Sequence, residues 1–457
     1  MKTTYFKIVF LCMFTLIVHA QTGSINNTLS SEGSFNIKDG TTTFLTLSQN
    51  NGVLVLNKSL SVPPTTDAMT GIIFKGGTKF IHDYQASGTL GYNTFVGLNA
   101  GNFTMTTTGS SVSDASYNTS VGAYSLTNLT SGQANSALGS YALNDNSTGF
   151  CNSAVGYYAL GSNTSGADNS AFGDLALNLN TTGNYNSAFG SGALKANTSG
   201  NSNSAFGCGT QEQSTNGINN SSFGVASLRS NFSGNDNCSF GYASLYLTTG
   251  DCNTAIGSYA GYNLTTGSNN TIVGDNAEPS TSSVSNEITL GNSSITTLRC
   301  KVNSISSLSD RRDKRNIKDL SLGLDFLMTV RPRIFNWDRR DWYKDENPDG
   351  SKMELTPTAG FIAQELDTAQ IRANAEWLNL VLKSNPERLE ATPGNLLPVI
   401  VKSIQELKAE NDSLKSEISQ LRASITEQVR KELRTALQRA IQPESEAVKL
   451  SLNDERK

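Results

Sequence analysis

The sequence predicts a mainly β protein: an oligomeric β-solenoid or β-roll stalk, then a small α+β domain, then a C-terminal coiled coil. Three observations predict this. Residues 91–277 repeat a five-residue motif at a nearly constant interval, the mark of a solenoid. Near Ser309 the composition changes abruptly from a Gly/Asn/Ser/Thr-rich array to a charged segment, which marks a domain boundary. Beyond Leu396, apolar residues recur three and four apart, as in a coiled-coil seam.

Residues 1–20 carry Lys2 and Lys7, an apolar run from Ile8 to Val18, and Ala20 at the end. That order reads as a secretory signal peptide cleaved after Ala20. The run is too short to favour a membrane span, and no later segment approaches one. Cys12 follows Leu11, where a lipoprotein site needs a small residue, so no lipid is expected. Five cysteines follow, Cys151, Cys208, Cys238, Cys252 and Cys300, an odd and scattered set that is no disulfide framework. No Cys/His cluster suggests zinc, so neither metal nor cofactor is expected. The net charge of −4 gives no basic footprint for nucleic acid. Only His82 follows the leader, so a His-based triad would rest on that residue alone.

Residues 21–90 read as a β-rich cap with strands at Ser34–Ile37, Thr42–Leu47, Gly52–Leu56 and Ile72–Phe74. Asp39-Gly40 and Asn51-Gly52 supply turns between them.

The array of 91–277 repeats Asn, then Ser, Thr or Cys, any residue, an apolar residue and Gly. Its Asn falls at 93, 118, 135, 152, 169, 186, 203, 220, 237, 253 and 270. From Asn118 to Asn237 every step is 17 residues; the next two are 16 and 17. One rung is Asn169 to Phe172 and Gly173, then Leu175-Ala176-Leu177, then Asn180-Thr181-Thr182-Gly183. The last four suit a tight turn, with Gly taking positive φ. Stacking puts like above like. One apolar column runs Val96, Val121, Leu138, Val155, Phe172, Phe189, Phe206, Phe223, Phe240, Ile256 and Val273. A second runs Leu126, Leu143, Leu160, Leu177, Leu194, Leu228 and Leu245. Either column can bury a stripe along the stack, at roughly 25 cal/mol per Å². Neighbouring strand residues face opposite sides. Both faces are then partly apolar, which suits a rung packed inside itself and against another chain. Gln211 interrupts the Leu column, where a surface loop over 208–217 is expected. The array resembles the head repeats of trimeric bacterial adhesins, a left-handed parallel β-roll. Its 17-residue period is longer than that family's, which leaves the strands per rung open.

Residues 278–308 form a β connector, with strands at Glu287–Gly291 and Thr296–Val302. Ser309-Asp310-Arg311-Arg312-Asp313-Lys314-Arg315-Asn316-Ile317 follows. A Ser with a Lys five residues on can support nucleophilic chemistry, because a neutral, desolvated Lys amine accepts a hydroxyl proton. Within 309–395, a helix is expected over 318–330 with Pro332 ending it, then a strand at Arg333–Trp337, a charged loop over 338–357, and a strand entering a helix at Gly360–Leu366.

Four blocks stand in order here: Ser309 to Ile317, Gly323 to Trp337, Gly360-Phe361-Ile362-Ala363-Gln364-Glu365-Leu366, and Leu396 to Leu407. They resemble the intramolecular chaperone of endosialidase, peptidase family S74, found at the C-terminus of phage tail spikes, tail fibres and some bacterial surface proteins. The resemblance implies a folding chaperone that trimerises, aligns its client chains and then cuts itself off in cis. It places the cut between Leu308 and Ser309, with Ser309 as nucleophile and Lys314 as base. Asp310, Arg312 and Asn316 match positions that hold the loop. No catalytic role is assigned to Gln364 or Glu365.

Residues 396–442 read as a helix. Ile404, Leu407, Asn411, Leu414, Ile418, Leu421 and Ile425 form the seam, and Val429, Leu433, Leu437 and Ile441 continue it four apart. Pro443 is expected to stop the helix, leaving 443–457 as a tail. The seam alone leans towards a dimer; both resemblances imply a homotrimer. The favoured reading is an exported trimeric fibre or adhesin-like surface protein with a self-processing chaperone. The alternative is a solenoid that binds glycan, a cell surface or ice, with a trimerisation domain that never cleaves. A polysaccharide-cleaving fibre ranks last, since Asp and Glu are sparse through 91–277.

Overall fold

A computed structural model describes residues 34–39, 42–48, 54–56, 59–109, 111–301 and 307–454. The expected signal peptide lies outside them. The chain forms two compact units, one ending at Asn216 and the other starting at Gly217.

In the first unit, β1 (Ser34–Asp39), β2 (Thr42–Ser48) and β3 (Leu54–Leu56) form an antiparallel sheet, β1 pairing with β2 and β2 with β3. A hairpin of β4 (Ile73–Lys75) and β5 (Thr78–His82) follows, and the sequence pattern missed its second strand. β5 pairs antiparallel with β6 (Thr94–Val96), so this hairpin starts the stack. The rung strands β7 (Thr119–Val121), β8 (Ser136–Leu138), β9 (Ser153–Val155), β10 (Ser170–Phe172), β11 (Ser187–Phe189) and β12 (Ser204–Phe206) then add in parallel and in register. Ala171, for example, sits between Ala154 and Ala188.

In a three-residue strand the middle side chain faces the opposite way from its two neighbours. In these rungs the middle one faces inward: Ala154, Ala171, Ala188 and Ala205 are fully buried. The residue before the motif Gly therefore faces out. Of the two apolar columns, the Leu column is the buried one; Leu126, Leu143, Leu160, Leu177 and Leu194 are wholly enclosed. The Val/Leu/Phe column stays on the surface, with Phe172 and Phe189 each a little over a third exposed.

The corners also differ from the expectation. Gly183 does not adopt positive φ; it is Gly because a Cβ there would lie 2.4 Å from the Gly200 carbonyl oxygen of the next rung. Positive φ falls instead on the motif Gly (Gly173, φ +144°) and on Leu175 and Leu177 (φ 56° and 50°). Such left-handed non-Gly residues cost of order 1 kcal/mol each. The stack over-determines them, as when the Leu177 N–H donates to the Ala193 carbonyl at 3.0 Å.

The motif Asn is not a turn residue. Asn118, Asn135, Asn152, Asn169, Asn186 and Asn203 are buried and form a ladder. Asn169 Nδ2 donates to Asn152 Oδ1 (3.1 Å) and to the Gly183 carbonyl (2.8 Å), and Asn169 Oδ1 accepts from the Asn186 N–H (3.0 Å). A second buried ladder joins Asn146, Asn163, Asn180 and Asn197 at 2.7–2.8 Å. Gln211 takes the Leu place in its rung and is buried, donating to the Ser204 carbonyl at 3.2 Å. The expected surface loop is absent over 208–216, where the turns of a regular rung persist. The backbone ladder already fixes that path, so one polar substitution does not eject the segment.

In the second unit, β13 (Ser221–Phe223), β14 (Cys238–Phe240), β15 (Thr254–Ile256), β16 (Thr271–Val273) and β17 (Ile288–Leu290) continue the same parallel pattern. Residues 296–301 form no strand, against the expectation; Val302 lies outside the described residues. The expected helix over 318–330 is a single turn, α1 (Leu324–Leu327). Glu406 is the physical reason for its start: its carboxylate accepts the Leu324 N–H at 2.7 Å and lies over Gly323, where a Cβ would push it aside. β18 (Arg333–Phe335) pairs antiparallel with β19 (Thr358–Gly360), which leads into α2 (Ala363–Arg372). A small hairpin, β20 (Val381–Leu382) and β21 (Glu390–Ala391), precedes α3 (Leu397–Asp454). Phe326, Val330, Leu366, Leu378, Leu380 and Val399 form the core of this region. Pro443 does not stop α3, which runs on to Asp454. A proline removes one backbone donor, and the turns on either side stay helical.

Candidate functional site

The stretch around Ser309 is an exposed arm. Leu308 is 104% exposed, and residues 309–318 are all solvent-facing. Asp310 caps a 3-10 turn at Arg311–Asp313, accepting the Arg312 N–H at 2.8 Å. Its carboxylate also holds the Arg312 guanidinium, with Nη2 to Oδ2 at 2.6 Å. That contact, with the backbone bond second, keeps the Asp310 carboxyl below the usual carboxylate range. The Lys314 N–H closes the turn on the Arg311 carbonyl at 3.1 Å. The turn swings Lys314 back over its start, and Lys314 Nζ donates to Ser309 Oγ at 2.5 Å.

Ser309 and Lys314 are therefore brought together, and Asp310 and Arg312 build the turn that does it. Asn316 contributes a left-handed backbone (φ 53°) two residues after Lys314. In this contact the lysine donates. A base must be a neutral amine, which needs removal from water, and nothing in the arm covers Lys314.

A groove of about 680 Å³ lies elsewhere in this unit, lined by Phe326, Thr329, Arg331, Gln364, Glu365 and Glu406 among others. Glu365 grips Arg333 in a fork, at 2.5 Å and 2.8 Å, with Arg331 at 3.8 Å. Arg333 lowers its pKa. This ties β18 to α2, a positioning role for a residue given no chemistry from sequence. Sequence reasoning missed the buried Gln370, which accepts the Leu380 N–H at 3.0 Å and donates to Asp367 at 2.9 Å. Its signal was an amide on the apolar side of α2. Among the described residues no group of three His, Cys, Asp or Glu could hold a metal, and no helix is long and apolar enough to cross a membrane.

Residues 309–374 match the family model for the chaperone of endosialidase, Peptidase_S74. No curated protein and no solved structure matches the chain. The chaperone segment begins at Ser309, the residue that Lys314 contacts, and ends just after α2. It takes in the arm, α1, the β18–β19 pair and the Arg333–Glu365 fork. The matched chaperone segment and the solenoid fit a trimeric fibre with a chaperone domain.

Proposed function

We propose that this chain is an exported, adhesin-like trimeric fibre whose C-terminal chaperone aligns three copies and then releases itself by cutting between Leu308 and Ser309. The observation that carries the reading is the Ser309–Lys314 contact at the first residue of the chaperone segment. Ser309 Oγ attacks the Leu308 carbonyl while Lys314 takes its proton; the C–N bond breaks, the Ser309 amine takes up that proton, and water then hydrolyses the Leu308–Ser309 ester to separate the two chains. The ordinary Lys pKa is about 10.4, so Lys314 must be desolvated before it can act. Association of three arms supplies that cover, and the cut follows assembly within the complex. Slow, non-local β assembly is prone to mispairing. A helical clamp on α3, whose seam from Ile404 to Ile441 is exposed in one chain, counters it.

The test is N-terminal sequencing of any C-terminal fragment, with Ser309→Ala beside the wild type. The expected fragment starts at Ser309 and is absent from Ser309→Ala, which stays a full-length trimer. A fragment that persists in Ser309→Ala, or begins elsewhere, ends the self-cleavage claim and leaves the chaperone.

A second reading, a surface-binding module, draws on one observation. Thr130, Ser147, Thr164, Thr181 and Thr198 form a partly exposed column, each hydroxyl donating to the next rung's carbonyl at 2.9–3.1 Å. Their donors are spent along the stack, which leaves methyls and acceptor lone pairs for glycan or ice. Glycan-array and ice-recrystallisation assays on the mature fibre test it; silence in both removes it.

A further inference from the structure

The Leu and Ala columns and the first Asn ladder close inside one chain. One apolar feature does not. In the first unit Val96, Val121, Leu138, Val155, Phe172, Phe189 and Phe206 face outward from successive strands; in the second, Phe223, Phe240, Ile256, Val273 and Leu290 do the same. We propose that this outward stripe is the face on which copies of this chain lie against one another, parallel and in register. The proposal rests on the trimer reading and adds to it the surface by which the solenoid takes part.

Three observations select a second copy as the occupant. The first is area. A fully buried aromatic contributes about 150–250 Å², so the exposed third of a stripe Phe leaves on the order of 70 Å². The three Phe and four smaller aliphatic residues of the first unit's stripe together offer on the order of 400 Å², about half of what one partner gives to a standard interface. The second is charge. The two outward strand positions carry only Ser, Thr, Cys and apolar residues over the eleven motif rungs. The few charged side chains of the array, such as Asp145, Asp168, Lys195 and Arg229, lie outside the strands. Identical neutral stripes meet without like-charge repulsion. The third is period. Phe172, Phe189 and Phe206 stack at 4.8 Å with planes 4° apart, and Phe223 and Phe240 at 4.7 Å and 3°. Their ring faces are spent on one another, so they offer edges and no flat platform for a sugar. A surface repeating at that interval is matched along its length by another solenoid of the same rise. Within the first unit the stripe is aliphatic from Val96 to Val155 and aromatic from Phe172 on, so parallel copies in register match like with like.

The test is disulfide trapping in the full chain with Cys151, Cys208, Cys238, Cys252 and Cys300 replaced by Ser. Phe189→Cys lies on the stripe; Thr181→Cys lies on the exposed corner of the rung before it. Light scattering gives the native mass, circular dichroism checks folding, and oxidation followed by a denaturing gel reads the contact. Phe189→Cys is expected to give a cross-linked dimer from most chains of a trimer, and Thr181→Cys close to none. A folded trimer in which Phe189→Cys stays uncross-linked, or in which both cross-link equally, overturns this face and leaves the trimer standing. A monomeric mass overturns both. Should Phe189→Cys fail to fold, Ser187→Cys on the same face reads the same contact.

Discussion

The rung interior and the Ser309 arm treat polar side chains in opposite ways. In the rungs, Asn169 is wholly buried and bonded on both sides along the ladder. In the arm, Ser309 and Lys314 meet in open solvent. The first arrangement is complete in one chain: burial and hydrogen bonding arrive together as rungs stack. The second has its geometry but lacks its environment. Repetition thus finishes a structure locally, while the arm leaves its Ser309–Lys314 pair in solvent.

The comparison breaks first at the arm. Lys314→Arg keeps the positive charge and a donor for Ser309 but cannot supply a neutral amine. The C-terminal fragment should vanish from a denaturing gel, an all-or-none effect. A fragment of wild-type yield would show that the lysine is no base. On the rung side, Leu177→Ala opens a cavity inside the Leu column and should cost about 2–5 kcal/mol, read as a lower urea midpoint. Asn169→Ala should cost about 3 kcal/mol, because it leaves Asn152 and Asn186 groups buried without their partner. If it proved as mild as a surface change, the ladder would be incidental.

A smaller effect sharpens the contrast at the start of the stack. His82 is buried between Phe95 and Phe103, ring centroids 4.7 Å and 4.8 Å away, and its Nε2 contacts the Ala100 carbonyl at 2.8 Å. Burial pushes its pKa down to about 4, from an ordinary 6.5. The folded state therefore binds its proton more weakly than the unfolded one. Stability at this hairpin is full above about pH 6.5, falls as pH drops through that window, and reaches its floor near pH 4. Protection of the β5–β6 amides against hydrogen exchange should follow this curve. His82→Gln, which keeps a donor without titrating, should flatten it.

Much of the fold was legible because a fixed period writes itself into the sequence. The motif Asn, the Leu column and the 17-residue step located every rung strand from β6 to β16. Which apolar column lies inside was not legible, since both alternate with polar neighbours and a three-residue strand gives no second period to compare. The second ladder was not legible either: Asn180 was read only as a corner residue, because Asn favours turns and only the stack reveals its partners. The helix over 318–330 failed for a similar reason: Glu406, far along the chain, decides where α1 begins. At the site, the Ser309–Lys314 pair was readable from its spacing of five residues, whereas Asp310 and Arg312 were singled out only by the family resemblance. The Arg333–Glu365 fork was not readable, being a contact across 32 residues.

The second Asn ladder stops at Asn197, whose Oδ1 is buried without a hydrogen-bond partner; Ser214 occupies the next place and its Oγ is also unpartnered. One unmet buried group costs about 1–3 kcal/mol. Suppose the chain, while folding, looped out residues 203–219 and docked the following rung in their place. Asn231 would then fall on Asn197 and Leu228 on Leu194, healing both columns at once. The detour forfeits a whole rung of burial, so it is no resting state. It would nevertheless offer the Asn197 Oδ1 an amide donor that Ser214 does not supply, and ejecting a loop of that length costs only a few kcal/mol in closure entropy. A growing stack therefore meets a false step that tests well against everything it can sense nearby. Only a constraint from the far end of the chain, such as a clamp that fixes how many residues remain to be placed, can tell the two apart.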